Sequence, residues 1–274
     1  MTDRYAVLGN PVAHSKSPQI HAMFARQTGE DIAYERLLVP LDGFADTVRA
    51  FRRAGGRGCN VTVPFKLEAY RFAHEHSARA REAQAVNVLR FDGERAYGDN
   101  SDGVGLLRDI EDNLGVALRG RRVLLLGAGG AAQGVLGPLL AAGPARLVIG
   151  NRTLEKAQGL VERFGGSAAA ADLAACSFDA LAGEAFDVVV NATSASLAGA
   201  ELALPRGLFA PDALAYDMMY GRDPTPFLQA ARALGAARLA DGLGMLVEQA
   251  AESFFVWRGV RPLTAAVIES LRGS

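Results

Sequence analysis

Ser15 and Ser17 flank Lys16 just ahead of Pro18, and proline there marks the first turn of a helix. Two hydroxyls at the positive end of a helix can hold an anionic group such as a carboxylate without a full positive charge. Ser17 directly before Pro18 equally fits an N-cap, which is a purely structural role. In Asn60-Val-Thr62-Val-Pro64-Phe-Lys66, a helix opened by Pro64 carries Lys66 in its first turn. The helix dipole disfavours a cation there by roughly 0.3 kcal/mol or more, so either the lysine has a task or it is simply exposed. Asp99-Asn100-Ser101-Asp102-Gly103 gathers acids and amides but lacks the alternating oxygens and final glutamate of a calcium loop. Locally, Asp102 reads as the N-cap of a helix from Gly103 to about Asn113.

A second kind of chemistry is written between Arg122 and Ala142. Four apolar residues, Val123 to Leu126, run into Gly127-Ala128-Gly129-Gly130-Ala131-Ala132 and then into an alanine- and leucine-rich stretch. An unbroken apolar tetrad ended by glycine predicts a central strand of a parallel sheet, covered on both faces. Gly127 permits the tight turn, Gly129 lets the backbone approach a pyrophosphate, and Ala132 packs helix on strand. Phosphate would sit on the helix N-terminus. Val123 to Ala145 is free of charge, yet six glycines and two prolines among those 23 residues exclude a plain membrane-spanning helix. Pro138 should kink the helix after the turn. At the end of the next strand, Arg146 to Ile149, an acidic residue would bind the ribose 2′-hydroxyl of NAD, and Arg152 stands there instead. A guanidinium pairs with a 2′-phosphate and Lys156 lies one helical turn on, which favours NADP.

The elements that must position these groups can be read in order. Strands are predicted over 5–8, 33–39, 58–63, 186–190 and 213–216, with a hairpin of 86–91 and 96–98 about Asp92-Gly93. Helices are predicted over 18–27, 44–54, 78–83, 153–164 and 225–234. Asp241-Gly242-Leu243-Gly244 introduces a last long helix whose Leu246, Ala250, Phe254 and Trp257 form a core stripe with Gln249 beside it. The chain has 274 residues, half of them hydrophobic, and a net charge of -1 without a basic block. That balance suits two domains and a small-molecule substrate, and excludes nucleic acid or an anionic membrane as the main partner. Cys59 and Cys176 form no disulfide framework, the four histidines show no metal-ligand spacing, and no signal core opens the chain, so the cytoplasm is expected. The triplets at Asn60, Asn151 and Asn191 are then not glycosylation sites.

Taken together, Gly9-Asn-Pro11 with His14-Ser-Lys-Ser-Pro18, Asn60 to Lys66, Asp99 to Gly103, Gly127 to Ala132, Asn151-Arg-Thr153, Asn191-Ala-Thr193-Ser194 and Gly242 to Gln249 resemble the shikimate dehydrogenase family in motif and order, over essentially the whole chain. The resemblance implies reversible NADP-linked reduction of 3-dehydroshikimate to shikimate in aromatic amino-acid biosynthesis. It implies an α/β fold with an N-terminal α/β substrate domain, a Rossmann-like doubly wound NADP-binding domain, and C-terminal helices returning to the first. The domains are expected over 1–103 with 242–274 and over 104–241, in a monomer or homodimer. Ser15, Ser17, Thr62, Asn87, Tyr220 and Gln249 would bind substrate, the two serines at its carboxylate. Gly127, Ala128, Gly129, Gly130, Ala131, Asn151, Arg152, Thr153, Lys156, Thr193 and Gly242 would bind NADP. Hydride delivery to a ketone develops alkoxide charge, which requires a proton donor within hydrogen-bond reach. Lys66 is assigned as the acid-base residue and Asp102 as its partner, with no metal.

Three positions depart from the usual family pattern: Val88 and Ser101 stand where threonine is common, and Ser196 where glycine is frequent. Ser101 keeps a hydroxyl, Val88 does not. Two other readings compete. One is an NAD-dependent quinate/shikimate dehydrogenase, against which Arg152 argues; the other is a catalytically silent NADP-binding regulator, against which the Lys66, Asp102 and double-serine set argues.

Overall fold

The computed structural model describes residues 2–166, 172–193 and 202–273; Ser194 and Ser196 lie outside them. The chain divides into two compact units, Met1–Gly105 with Leu246–Ser274, and Leu106–Met245. In chain order the elements are β1 (Asp3–Gly9), α1 (Ser17–Thr28), β2 (Ile32–Leu38), α2 (Phe44–Arg53), β3 (Gly56–Val61), α3 (Lys66–Phe72), β4 (Glu75–His76), α4 (Ala78–Ala83), β5 (Val88–Asp92), β6 (Arg95–Asp99) and α5 (Asp102–Arg108). They continue with β7 (Arg122–Leu126), α6 (Gly130–Ala141), β8 (Arg146–Gly150), α7 (Leu154–Phe164), β9 (Leu173–Cys176), β10 (Phe186–Asn191), β11 (Phe209–Asp217), α8 (Pro226–Ala233), β12 (Arg238–Asp241), α9 (Leu243–Arg258) and α10 (Ala265–Arg272).

In the first unit the sheet order is β2-β1-β3-β5-β6-β4. β1 runs parallel to β2 and β3, whereas β5 is antiparallel to both β3 and β6. The ends of β1, β3 and β6 and the start of β5 therefore share one edge of the sheet. One face packs Ala6, Leu8, Val48, Phe51, Cys59 and Val61 into a core. On the other, Tyr5 stacks on Trp257 of α9 with ring centroids 4.5 Å apart, and the indole N–H donates to the Leu89 carbonyl at 3.0 Å. Gly58 is what admits that indole, because a Cβ there would lie 2.6 Å from both the Leu89 oxygen and Trp257 Nε1.

The second unit holds an all-parallel sheet in the order β12-β11-β10-β7-β8-β9. Counted from its first strand this is 3-2-1-4-5-6, the order of dinucleotide-binding sheets, whose direction of winding reverses between β7 and β10. Side chains alternate faces along a strand, so an apolar tetrad is buried throughout only if both faces are covered. Val123 and Leu125 enter one core while Leu124 and Leu126 enter the other, and Val188 and Val190 divide from Val189 in the same way. Pro138 lies inside α6. Among the described residues no helix is long and apolar enough to cross a membrane.

Four local expectations change. Ser17 is not an N-cap: Lys16 takes that position, and Ser17 is the first residue of α1, its N–H donating to Ser15 Oγ at 3.3 Å. Pro64 does not open a helix, because Thr62 to Phe65 form a turn closed by Phe65 N–H to the Thr62 carbonyl at 3.1 Å, so α3 starts at Lys66. Asp102 is no cap either; it is the first residue of α5 and its own N–H is taken by Asn100 Oδ1 at 3.1 Å. The helix expected to run to Asn113 gives way after Arg108 to a π-helical turn over Asp109–Asn113, closed by Leu114 N–H to the Asp109 carbonyl. Its first residue, Asp109, is buried and accepts the Tyr216 hydroxyl at 2.6 Å, a tie across 107 residues that local pattern does not contain.

Candidate active site

The shared sheet edge of the first unit collects most of the predicted substrate-side residues. Lys66, at the start of α3, donates through Nζ to Asp102 Oδ2 at 2.6 Å. The lysine side chain is 21% exposed and the carboxylate 9%, so the pair can be reached from solvent yet is no freely hydrated surface ion pair. Asn87, immediately before β5, donates to Asp102 Oδ1 at 2.8 Å, so both carboxylate oxygens are engaged. The Asn87 side-chain oxygen accepts the Ser101 N–H at 2.8 Å, which fixes its orientation. Gln249 of α9 completes the group, its Oε1 lying 3.4 Å from both Asn87 Nδ2 and Ser101 Oγ while its own amide donates to the Leu246 carbonyl. Ser101, where the family pattern has threonine, thus uses its hydroxyl in this group. Val88 is fully buried in β5 and pairs with Asn60 and Asp99 through its backbone.

Ser15 and Ser17 lie together beyond β1, Ser15 Oγ donating to Ser17 Oγ at 3.1 Å. Arg36 of β2 grips the Ser15 carbonyl with two donors, at 2.6 and 2.9 Å, which holds the loop against the sheet. Thr62 follows β3 at the same edge, its N–H bonded to the Leu8 carbonyl. Three residues that spacing did not single out join the serines to the Lys66 group. Tyr34 donates to Asn60 Oδ1 at 2.7 Å, Asn60 Nδ2 donates to Ser253 Oγ at 2.8 Å and to the Asn87 carbonyl at 3.2 Å, and Ser253 Oγ lies 3.4 Å from Ser101 Oγ. Burial pushes the Tyr34 phenol well above its ordinary value, the Cys59 thiol adds to the rise, and a hydrogen bond with Ser17 offsets only part of it. Tyr34 therefore stays a neutral donor. The sequence signal for this chain was faint: a polar Asn60 between buried Cys59 and Val61, and Ser253 four residues past Gln249 on a helix face otherwise apolar.

In the second unit the predicted cofactor residues sit at the carboxyl ends of the strands, where open α/β sheets take their ligands. Gly127 has φ +106° and backs onto Ala192 and Thr193 after β10; a Cβ would lie 3.2 Å from the Ala192 carbonyl group. Its N–H is bonded to the Gly150 carbonyl at 2.8 Å, which joins the turn to the end of β8. Gly129 is the N-cap of α6 and brings no side chain over the first N–H groups of that helix. A Cβ added at Gly129 or Gly130 would meet nothing within 4 Å. This bare helix end fits a pyrophosphate. Ala128 is buried and Ala131 half-buried beside it, Ala128 lying in the core under α6.

Asn151 donates to the Thr153 carbonyl at 2.8 Å, which shapes the turn that leaves Arg152, Thr153 and Lys156 exposed. Thr153 stands at the N-cap of α7 but its hydroxyl makes no capping bond. Thr193 turns its N–H and hydroxyl onto Asn191 Oδ1, and Asn191 in turn donates to buried Asp217 at 3.0 Å. Tyr220 follows β11 and Gly242 follows β12, with the Gly242 N–H bonded to the Met219 carbonyl at 3.0 Å. Burial raises the Tyr220 phenol, and the Asp241 charge adds to it. Exposed Arg152 and Lys156 beside an end-of-strand turn without an acid suit a 2′-phosphate.

A doubly wound sheet with an open glycine turn in the second unit, and a shielded lysine–carboxylate pair in the first, define an α/β enzyme of the dinucleotide-binding class. Comparison with known proteins makes this specific. Residues 7–89 match the shikimate dehydrogenase substrate binding domain, 109–201 match shikimate / quinate 5-dehydrogenase, and 242–272 match the shikimate 5'-dehydrogenase C-terminal domain. The shikimate dehydrogenase (NADP(+)) of Aromatoleum aromaticum is 63% identical, over 98% of this chain and 97% of that protein. The crystal structure of an Ael1 enzyme from Pseudomonas putida superposes with TM-score 0.92 at 52% identity, covering 98% of both chains. That of shikimate 5-dehydrogenase from Thermus thermophilus, in complex with NADP(H) and shikimate, gives TM-score 0.87 at 34% identity over 99% of both. The chain belongs to the shikimate dehydrogenase family.

Proposed function

We propose that this enzyme catalyses the reversible NADP-linked reduction of 3-dehydroshikimate to shikimate, with residues 1–103 and 242–274 binding the substrate and 104–241 binding NADP. When bound, NADPH supplies the hydride that adds to the ketone carbon. The carbonyl oxygen then gains alkoxide character, and the Lys66 ammonium gives it a proton. Asp102 keeps that ammonium in place and accepts a hydrogen bond from the neighbouring ring hydroxyl, while Asn87 holds its second oxygen. Ser15 and Ser17 bind the substrate carboxylate, Gln249 lies at its ring hydroxyls, and Thr62 and Tyr220 line the same pocket. Gly127 to Ala131 receive the pyrophosphate at the start of α6, Asn151, Arg152, Thr153 and Lys156 the adenosine 2′-phosphate end, and Thr193 and Gly242 the nicotinamide end. The enzyme works in the cytoplasm as a monomer or homodimer.

The observation that carries this reading is the 2.6 Å contact of Lys66 with a carboxylate whose other oxygen is already held by Asn87. Such a lysine is oriented before any substrate arrives. Lys66→Ala is expected to lower kcat by about 10² to 10⁴ with little change in KM, since the lost interaction belongs to the transition state. Near-normal turnover in that variant contradicts the assignment.

A further inference from the structure

Asp99 is 2% exposed and plays no part in the chemistry above, yet it is among the most heavily bonded carboxylates of the first unit. Its Oδ1 accepts the Ser77 hydroxyl at 2.5 Å, Arg79 Nε at 2.7 Å and the Asn100 N–H at 2.7 Å, and its Oδ2 accepts Arg79 Nη2 at 2.6 Å. Arg79 Nη2 also reaches Glu252 Oε1 of α9 at 2.8 Å. Burial alone would raise the Asp99 carboxyl, but the hydrogen bonds and charge of Arg79 outweigh it and hold it below its ordinary value. Arg79 sits in the first turn of α4, where the helix dipole disfavours a cation, so its location answers to Asp99 and not to its own helix.

What hangs on Asp99 is the backbone that presents Asp102. Asn100, itself buried, is tied at its N–H to the Asp99 carboxylate and at its amide to the Ala85 carbonyl, and its Oδ1 takes the Asp102 N–H. The Asp99 carbonyl accepts the Asn87 N–H at 3.0 Å, and Asn87 is the residue that holds Asp102 Oδ1. Both grips on Asp102 other than Lys66 thus start from Asp99. A buried arginine–carboxylate pair is weak evidence for stability, because desolvation offsets the Coulomb gain. Its planar, two-pronged contact does fix direction, which a lysine in the same place cannot do.

We propose that Arg79 is a positioning residue of this enzyme: by clamping Asp99 with both prongs, it sets Asn100 and Asn87 so that Asp102 meets Lys66. The proposal rests on the reading of Lys66 and Asp102 as the reacting pair. The test is a double-mutant cycle in the full chain, with Arg79→Lys and Asp102→Asn measured singly and together for shikimate oxidation by NADP. Arg79→Lys keeps the charge and loses the fork, and is expected to lower kcat about ten- to hundredfold, as a displacement near 1 Å does, with the KM for NADP within about twofold of wild type. With Asp102→Asn already present, the same change is expected to cost less than about twofold, because the group it positions no longer acts. Asp99→Asn, isosteric and broken at the same contact, should repeat the pattern if Arg79→Lys folds poorly. An unchanged kcat in both variants, or an equal loss with and without Asp102, overturns the proposal while leaving the reacting pair in place. Normal turnover of Asp102→Asn alone overturns the pair and the proposal with it.

Discussion

His21 shows how much of the first unit's electrostatics is decided residue by residue. The imidazole is fully buried, stacked flat on Tyr34 at 4.2 Å, with Phe24, Phe254 and Trp257 around it. Burial drives its pKa down to about 3, against a smaller opposing pull from the Asn60 side chain. It therefore serves as a neutral ring behind the Tyr34 hydroxyl. Below pH 6.5 the unfolded chain takes up a proton at this residue that the folded chain refuses until about pH 3. The stability it contributes is present above that window and is lost as pH falls through it, by about 2 kcal/mol at pH 5. His21→Phe keeps the stack and removes the titration. In urea unfolding followed through Trp257, the only tryptophan, wild type should lose about 2 kcal/mol more than the variant between pH 7.5 and pH 5. Equal losses would contradict the burial argument.

At the scale of elements, the turn from β7 into α6 is constrained in its backbone, with Gly127 at φ +106°. Gly127→Ala puts a side chain at φ +106° and against the Ala192 carbonyl, a strain of about 1–3 kcal/mol that the turn relieves only by moving. Its expected effect is a rise in the KM for NADP of about tenfold or more, while unfolding of the first unit, read at Trp257, stays as in wild type. An unchanged KM for NADP would mean that the turn does not bear on the nucleotide. This junction was legible in the sequence because burial on two faces leaves an uninterrupted apolar run, and because glycine marks the turn whatever surrounds it. The caps were not legible in the same way. Ser17 and Asp102 have the residue types of N-caps, and what draws them elsewhere is Ser15 in a loop and Lys66, 36 residues away. Strands β4, β9 and β12 escaped for another reason. They have two to four residues each, and β12 reads Arg-Leu-Ala-Asp, too short and mixed for a period of two to show.

For the molecule as a whole, composition pointed to a small-molecule partner, and the order of strands in the second unit is that of dinucleotide-binding sheets. Neither of these chooses a reaction. The proposed reaction rests on a handful of polar side chains at one sheet edge of the first unit, in a family whose matched domains cover residues 7–89, 109–201 and 242–272. The individual site residues are an expectation drawn as a set from resemblance, while the polar chain of Tyr34, Asn60 and Ser253 beside them was not expected at all, since buried hydrogen bonds between distant segments leave no periodic trace. Arg152 is exposed at the turn after β8, where NAD enzymes carry an acid, and the proposed preference for NADP rests on it. The most direct measurement is a comparison of kcat/KM in one spectrophotometric assay, shikimate with NADP against quinate with NAD. The account requires the first pair to be the better one. A higher value for quinate with NAD, or no dehydrogenase activity from protein that binds NADPH, would contradict it.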